Sequence, residues 1–192
     1  MKPRELLDAL TVAERLKNVT RHCDTSGGRR ESVAEHCWMA CFMAFLMKEQ
    51  FPQADMDKVI RMCIIHDLGE AFTGDIPVFH KTQADEAREE SLLYDWVRSL
   101  PEEKAREMMT LYEEMDAQQT LESRIYKAID GMEAVVQHNF SDISTWLPNE
   151  YTLNQTYAQD RVVFSEFLTQ LREEMRQDTV KKIRESEIKT ES

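Results

Sequence analysis

Helix-breaking residues are scarce in this chain. Its 192 residues include only five glycines and five prolines, and most of them fall between segments with regular apolar spacing. Glycine and proline mark turns and loops, so their scarcity predicts long helical segments with few interruptions. The sequence also lacks an internal repeat and any strand signal of useful length. We therefore predict an all-α fold.

Long apolar runs are missing as well. No stretch approaches the roughly 18 apolar residues of a membrane span, and the first five residues, Met-Lys-Pro-Arg-Glu, lack the apolar segment of a secretory signal. None of the four cysteines forms a Cys-x-x-Cys pair, and three lie in apolar helical patterns. These features predict no membrane span, reduced and buried thiols, and a cytoplasmic location.

Basic residues are outnumbered by acidic ones. The chain has 24 Lys and Arg against 36 Asp and Glu, a net charge of −12. This disfavours non-specific binding of duplex nucleic acid, which needs dense positive charge. A nucleotide is still possible, because a metal ion and one or two arginines are enough to hold a phosphate. The 42% hydrophobic content suffices for one compact domain, which we place at 1–176, followed by a polar tail, helical or frayed, at 177–192.

Apolar periodicity predicts the helices. They fall near 4–17, 33–50, 57–70, 83–99, 101–116, 120–139 and 153–176, with a loop at 142–150. Ser32 followed by Glu35 is a capping-box signature for the second helix. That helix is apolar on most of its circumference, which predicts a place in the core. Its apolar residues are Val33, Trp38, Met39, Phe42, Met43, Phe45 and Leu46.

A His-Asp dipeptide, His66-Asp67, interrupts an apolar run. Burying a carboxylate beside an imidazole is costly unless something compensates. A divalent metal ion does so, because it accepts imidazole nitrogen and carboxylate oxygen as ligands. His36, on the helix predicted for the core, and Asp130, near the middle of another helix, are further candidates. Each also has a plain structural interpretation: His36 as a hydrogen-bonded buried imidazole, and Asp130 as an ion-pair partner of Lys127.

Three more residues suggest catalytic chemistry. Glu70 follows the His-Asp pair by three or four positions and would project from the same helical side. A carboxylate there would orient or deprotonate a water molecule, although an exposed Glu in a last helical turn is the alternative. Asp75, after Gly74, would meet a substrate hydroxyl or cap a turn. Arg21 is a candidate phosphate clamp, because guanidinium binds phosphate oxygens in a bidentate fork; Arg29 and Arg30 would assist or lie in solvent.

Other site signatures are weak or missing. The remaining histidines, His22, His80 and His138, form no second His-Asp or His-x-x-His cluster, so the sequence gives little support to a second metal site. It contains no P-loop, no dinucleotide-binding glycine fingerprint and no His-Glu-x-x-His helix.

The pattern resembles the HD-domain metal-dependent phosphohydrolases. Residues 31–36 (Glu-Ser-Val-Ala-Glu-His), 66–77 (from His-Asp-Leu-Gly-Glu to Gly-Asp-Ile-Pro) and 127–130 (Lys-Ala-Ile-Asp) carry the resemblance, which covers about residues 10 to 170. Within the superfamily, the chain is most similar to the small 5′-deoxynucleotidases of the YfbR type and the HD-domain-containing protein 2 type. The resemblance implies a single all-helical HD-domain bundle, usually a homodimer.

The resemblance also implies site roles. One divalent metal ion (Co, Mn, Fe, Ni or Zn) would be bound by four residues: His36, His66, Asp67 and Asp130. Glu70 matches the catalytic carboxylate of the family and Asp75 its second essential acid, which would also contact substrate. Arg21 stands where these enzymes place a phosphate-binding arginine. The bacterial enzymes have a tryptophan near the sugar at the next position. Here that residue is His22, so the preference for deoxyribose over ribose stays open.

The predicted reaction is hydrolysis of a phosphomonoester, with a deoxynucleoside 5′-monophosphate as the favoured substrate. One alternative is a nucleotide phosphodiesterase or pyrophosphohydrolase with the same site. Another is a non-enzymatic helical dimer with a structural metal. Four protein ligands on a six-coordinate ion would leave about two positions open, which favours catalysis.

Overall fold

The computed structural model describes residues 1–190 and confirms the all-α class. The helices are α1 (Pro3–Arg15), α2 (Val33–Leu46), α3 (Met56–Ile65), α4 (Glu70–Thr73), α5 (Gln83–Ser99), α6 (Glu102–Ala117), α7 (Leu121–Phe140), α8 (Glu150–Thr156) and α9 (Glu166–Thr190). Short 3-10 turns occur at Lys48–Gln50 and Ile143–Thr145. Among the helices described, none has the length and apolar character needed to cross a membrane.

Helix α7 lies at the centre of the bundle and packs against α2, α3, α6 and α9. Its inward residues follow the predicted spacing of three and four, and Ile125, Ile129 and Met132 are fully buried. Val59 and Met62 of α3 are equally buried. Burying a side chain of this size contributes about 1.5–3 kcal/mol, so the α3–α7 contact is a rigid base for side chains that project from its end.

Helix α2 departs from its predicted place in the core. One face is buried and made mostly of small residues, including Ala40 and Ala44. The opposite face carries exposed apolar side chains, which are Trp38, Phe42, Phe45 and Leu46. Close packing against α3 and α7 needs small residues on the inner face, so the large ones lie outside. The prediction that all of α2 is core is therefore wrong for this outer face.

A two-stranded antiparallel hairpin, β1 (Thr20–Asp24) and β2 (Arg30–Ser32), was not predicted from the sequence. Thr20 pairs with Ser32 and Asp24 with Arg30, so β1 contains extra residues between the two pairs. Such a bulge re-aims side chains. Neighbours in a regular strand point to opposite faces, whereas Arg21 and His22 line the same cavity.

The predicted helix at 153–176 is two helices, α8 and α9, separated by a turn. Ala158 in that turn has a positive φ of 61°, which ends helical geometry. Arg172 of α9 is buried and fastens the turn: it donates to the carbonyl of Tyr157 at 2.9 Å and to that of Asn154 at 2.8 Å.

Helix α9 continues through residue 176, the predicted end of the domain. Thr179 is fully buried, and its hydroxyl donates to Asn139 Oδ1 at 2.8 Å. Lys182 Nζ donates to the Asn139 carbonyl at 2.9 Å. The first part of the predicted tail therefore packs on α7. Residues 191 and 192, at its end, lie outside the described residues.

Candidate metal centre and substrate cavity

His66 and Asp67 lie just beyond the end of α3, in a tight turn, and not inside the helix predicted at 57–70. The amide of Leu68 donates to the carbonyl of Ile65 at 3.1 Å, and that of Glu70 to Asp67 at 3.0 Å, both over three residues. The turn lets adjacent side chains face one point, and His66 Nε2 lies 3.2 Å from Asp67 Oδ2.

The four residues predicted as metal ligands converge at this turn. His36 Nε2 lies 3.0 Å from His66 Nε2 and 3.5 Å from Asp67 Oδ2. Asp130 Oδ1 lies 3.4 Å from His36 Nε2 and 3.7 Å from His66 Nε2. Donor atoms of His36, His66 and Asp67 all lie within 4.8 Å of one another. Helices α2 and α7 and the turn after α3 therefore bring two imidazoles and two carboxylates together.

The outward nitrogen of each imidazole has its own partner. His66 Nδ1 donates to the carbonyl of Cys63 at 2.9 Å, and His36 Nδ1 contacts the buried carboxylate of Glu133. A carbonyl only accepts, so His66 carries its proton on Nδ1 when neutral and presents the Nε2 lone pair to the cluster. Orienting partners of this kind are typical of metal-bound histidines. The donor set fits a divalent metal ion.

Electrostatics in the cluster favour negatively charged carboxylates. Burial and the Arg21 charge lower the pKa of His36, but Glu133 and Asp130 outweigh them and raise this pKa to about 9. Burial opposes ionisation of Asp67, yet His66 beside it holds the pKa of Asp67 well below its usual value. A metal ion must therefore displace protons from the imidazoles, which makes its affinity increase with pH.

Glu70 begins α4 and is buried, so the alternative of an exposed glutamate is wrong. Burial, together with the charges of Asp67 and Asp75, raises the pKa of Glu70 well above its usual value. Its Oε2 has no hydrogen-bond partner among the described atoms. Gly74 has a positive φ of 81°, and Asp75 after it lines the same cavity as Glu70. A buried carboxylate with a free oxygen beside a metal cluster is suited to handling a proton.

The cavity beside the cluster has a volume of about 320 Å³. Arg21 lines it, with NH1 3.9 Å from Asp67 Oδ2 and Nε 3.2 Å from Glu31 Oε2. Glu31 thus fixes the guanidinium next to a predicted ligand. This is the position from which an arginine binds phosphate oxygens beside a metal.

His22 follows Arg21 into the cavity. Its Nε2 lies 2.8 Å from Glu150 Oε1, and its ring meets Phe79 edge to face at 5.4 Å between centroids. Phe79, Val78 and Leu153 add apolar surface to the cavity wall. Such a wall fits the nucleoside part of a nucleotide better than its phosphate.

The HD domain family matches residues 13–181. The chain belongs to the HD domain family. This HD domain is similar to human 5′-deoxynucleotidase HDDC2, with 30% identity over 138 residues that cover 70% of this chain and 67% of that protein. It is also similar to the Saccharomyces cerevisiae 5′-deoxynucleotidase YBR242W, with 28% identity over 143 residues, 70% of this chain and 59% of the yeast protein.

Solved structures agree with the fold of this HD domain. A predicted metal-dependent phosphohydrolase from Magnetospirillum magnetotacticum superposes with a TM-score of 0.80 and 25% identity, covering 93% of each chain. A conserved hypothetical protein from Pyrococcus furiosus gives a TM-score of 0.65 and 25% identity, covering 89% of this chain and 99% of that one. The resemblance predicted from the three motifs is confirmed.

Sequence reasoning missed most of the cations in the HD domain's cavity. Lys81, Lys127 and Arg161 line it together with Arg21. Lys127 Nζ lies 2.9 Å from Asp130 Oδ2 and Arg161 NH1 3.8 Å from it. Asp130 therefore fits both of its interpretations, as a member of the cluster and as the ion-pair partner of Lys127. The spacing of three from Asp130 was a signal for Lys127, whereas nothing local marks Lys81 or Arg161.

Arg29 and Arg30 are not part of the cavity lining. Arg29 NH1 donates to Glu35 Oε2 at 2.9 Å, and Arg30 NH1 lies 3.3 Å from Asp24 Oδ1. Both support the hairpin and the start of α2, so the suggestion that they assist phosphate binding is wrong for this arrangement.

Proposed function

We propose that the chain hydrolyses deoxynucleoside 5′-monophosphates to nucleoside and phosphate. One observation carries this proposal: the predicted ligand cluster, the buried Glu70 carboxylate and four cationic side chains share one cavity. The enzyme class, a metal-dependent phosphohydrolase, is confirmed by relatives named as 5′-deoxynucleotidases and by a structural neighbour described as a metal-dependent phosphohydrolase.

His36, His66, Asp67 and Asp130 are the residues that would hold one divalent ion. When bound, the ion would act as a Lewis acid that lowers the pKa of water and offsets negative charge on the phosphoryl group. Neutral imidazole and carboxylate ligands suit Mn, Fe, Co, Ni or Zn, and affinity order alone does not choose among them.

The cationic side chains bind and orient the phosphate. Arg21 offers two N–H groups to phosphate oxygens in a fixed plane. Lys127 and Arg161, both near Asp130, neutralise further negative charge from the α7 side, and Lys81 does so from the loop before α5. Four positive groups in an otherwise acidic protein concentrate binding energy on a dianionic phosphate.

Glu70 takes the proton of the attacking water. Its raised pKa brings it closer to the working pH than that of an ordinary carboxylate, which improves proton transfer. Asp75 lines the same cavity, from where it would meet the sugar or the leaving group. His22, Phe79 and Val78 line the cavity and would face the nucleoside, and His22 in place of tryptophan leaves room for different sugar selectivity.

The exposed aromatic face of α2 supports a homodimer. Trp38 and Phe42 stack with centroids 5.7 Å apart, and Phe42 and Phe45 at 6.4 Å. An exposed apolar patch of this kind marks a protein interface. A cytoplasmic location, and the division into a domain at 1–176 and a tail at 177–192, stay predictions.

Substrate specificity after metal reconstitution tests the proposal. The protein is stripped with a chelator, loaded separately with Mn, Fe(II), Co, Ni or Zn, and assayed for phosphate release from deoxynucleoside and ribonucleoside monophosphates. Cyclic dinucleotides and nucleoside triphosphates are assayed in parallel. We expect the metal-loaded protein to hydrolyse deoxynucleoside monophosphates and the stripped protein to be inactive. Asp67→Asn should lose this activity, whereas the control Asp57→Asn, at an exposed position, should retain it.

Two outcomes would overturn the proposed hydrolysis of deoxynucleoside monophosphates. Cleavage confined to phosphodiesters or to triphosphates would favour the phosphodiesterase or pyrophosphohydrolase alternative. No hydrolysis with any ion, in protein that binds metal, would favour a structural metal in a helical dimer.

A further inference from the structure

A second cluster of metal-ligating side chains lies in the cavity wall. It consists of His22 from β1, His138 from α7 and Glu150 from the start of α8. Glu150 Oε1 lies 2.8 Å from His22 Nε2 and 3.0 Å from His138 Nε2, and donor atoms of all three lie within 4.8 Å of one another. This second metal site had little support in the sequence, because the three residues are far apart in the chain.

The protonation of His138 is fixed by its other nitrogen. His138 Nδ1 lies 2.8 Å from the carbonyl of Ala134, and a carbonyl only accepts, so Nδ1 carries a proton. A neutral His138 therefore presents a lone pair on Nε2 to Glu150 Oε1, which is also an acceptor. Two acceptors 3.0 Å apart repel each other unless a proton or a metal ion lies between them.

The second cluster is arranged like the cluster of predicted metal ligands around His66. His66 also donates from Nδ1 to a backbone carbonyl and directs Nε2 at a carboxylate. Glu150 is 2% exposed, and its second oxygen accepts from the amide of Leu147 at 2.6 Å. The carboxylate is therefore held rigidly, with one oxygen aimed between the two imidazoles. Fixed orientation of this kind favours metal binding over a flexible surface pair.

We propose that His22, His138 and Glu150 bind a second divalent transition-metal ion, of the zinc class. Two imidazole nitrogens and one carboxylate oxygen form a ligand set that zinc uses when it keeps a fourth position open. Ligand atoms about 2.0–2.1 Å from a tetrahedral ion lie roughly 3.3 Å from one another. The distances from Glu150 Oε1 to the two imidazole nitrogens, 2.8 and 3.0 Å, therefore need to lengthen only slightly to admit an ion. The open position would face the cavity, since His22 and Glu150 both line it, and would accept water or a substrate oxygen.

Zinc content per chain tests this site without any activity measurement. Full-length protein is stripped, equilibrated with excess Zn²⁺ and dialysed, and zinc is measured by mass spectrometry against protein concentration. We expect His22→Asn and His138→Asn to hold one zinc ion fewer than wild type. His80→Asn, an exposed histidine outside both clusters, is the matched control and should equal wild type.

The His22 variant keeps the test decisive, because the His22 side chain is 25% exposed and its replacement leaves the core intact. Its fold is checked by circular dichroism. Equal zinc content in wild type and His22→Asn overturns the proposal and leaves His22 and His138 as hydrogen-bond partners of Glu150. Because zinc binding is read directly, failure here would not affect the proposed hydrolysis at the first cluster.

Discussion

Glu133 contacts Nδ1 of His36 across 97 positions of the chain, and both side chains are fully buried. Glu133 lies three residues after Asp130 on α7, so it projects from the same face of that helix. One helix thus supplies a predicted ligand and the carboxylate that orients another. His36 cannot rotate away from the cluster without leaving the Glu133 carboxylate buried and unpaired, which is costly.

Replacing Glu133 with Gln should weaken metal binding. The neutral amide orients His36 less firmly and makes its Nε2 a poorer donor, and loss of such partners typically costs about 10–100-fold in metal affinity. Competition with a chromophoric chelator measures the change. The exposed Glu113→Gln on α6 serves as control. Equal affinity in both variants would show that Glu133 does not support the site.

Replacing Glu70 with Gln should reduce turnover and leave the metal bound. The amide is nearly isosteric but accepts no proton, and general-base contributions are worth about 10²–10⁴-fold in rate. Steady-state phosphate release and metal content are measured on the same sample, with the exposed Glu90→Gln as control. Wild-type turnover would remove Glu70 from the mechanism, and loss of the metal would make it a ligand.

Local signals explain why so much of the first cluster was predictable. The His66-Asp67 pair inside an apolar run is improbable without compensation, and the spacing around Asp130 marks a buried helix face. Each of these two signals can be recognised from a stretch of only a few residues. The bounds of α5 were predictable for the same reason: the helix was predicted at 83–99 and is observed at Gln83–Ser99.

Features that depend on tertiary contacts were missed. The hairpin is too short and too bulged to show an alternating pattern. His138 and Glu150 meet only because the chain turns between α7 and α8 and brings the first residue of α8 to the His138 side chain. Apolar residues on α2 do not distinguish a core from an interface, so Trp38 was placed inside although it is 63% exposed.

Gly131, the residue after Asp130, should not tolerate a side chain. A Cβ there would lie 2.6 Å from Ala158 Cβ and 2.9 Å from Arg161 NH1. Overpacking costs about 1–3 kcal/mol, and the better helix propensity of alanine returns about 1 kcal/mol. We expect Gly131→Ala to lower the free energy of unfolding by up to about 2 kcal/mol in urea titrations. Gly27→Ala, whose Cβ would meet nothing closer than 3.7 Å, should be near neutral; equal effects would refute the close-packing argument.

Glu35 should stabilise the start of α2 in a pH-dependent way. Hydrogen bonds from Arg29, with those from Ser32, lower the pKa of Glu35 to about 2. Its folded pKa lies below its unfolded value of about 4.3, so the stabilisation is complete above that pH and is lost as the pH falls towards 2. The side chain is partly exposed, which limits the effect to about 1 kcal/mol or less.

Urea unfolding of wild type and Glu35→Gln between pH 7 and about pH 2 measures this pH-dependent stabilisation. The difference in the free energy of unfolding between the two proteins should be present at pH 7 and shrink between about pH 4.3 and about pH 2. The exposed Glu174→Gln gives the background change for a surface carboxylate. A difference that stays constant with pH would mean that Glu35 acts through packing and not through its charge.

The outer face of α2 should form the dimer interface. Trp38 and Phe42 stack nearly parallel, with 5° between their planes, and both are largely exposed. We expect wild type to be a dimer in light scattering after size exclusion, and Trp38→Glu to be monomeric, because a buried unpaired carboxylate opposes association. Val163→Glu, which changes another exposed apolar residue, should remain dimeric. Helix α2 packs on the bundle through its opposite, buried face, so Trp38→Glu should leave the fold of the monomer and its thermal unfolding unchanged. A monomeric wild type would mean that the outer face of α2 binds some other partner.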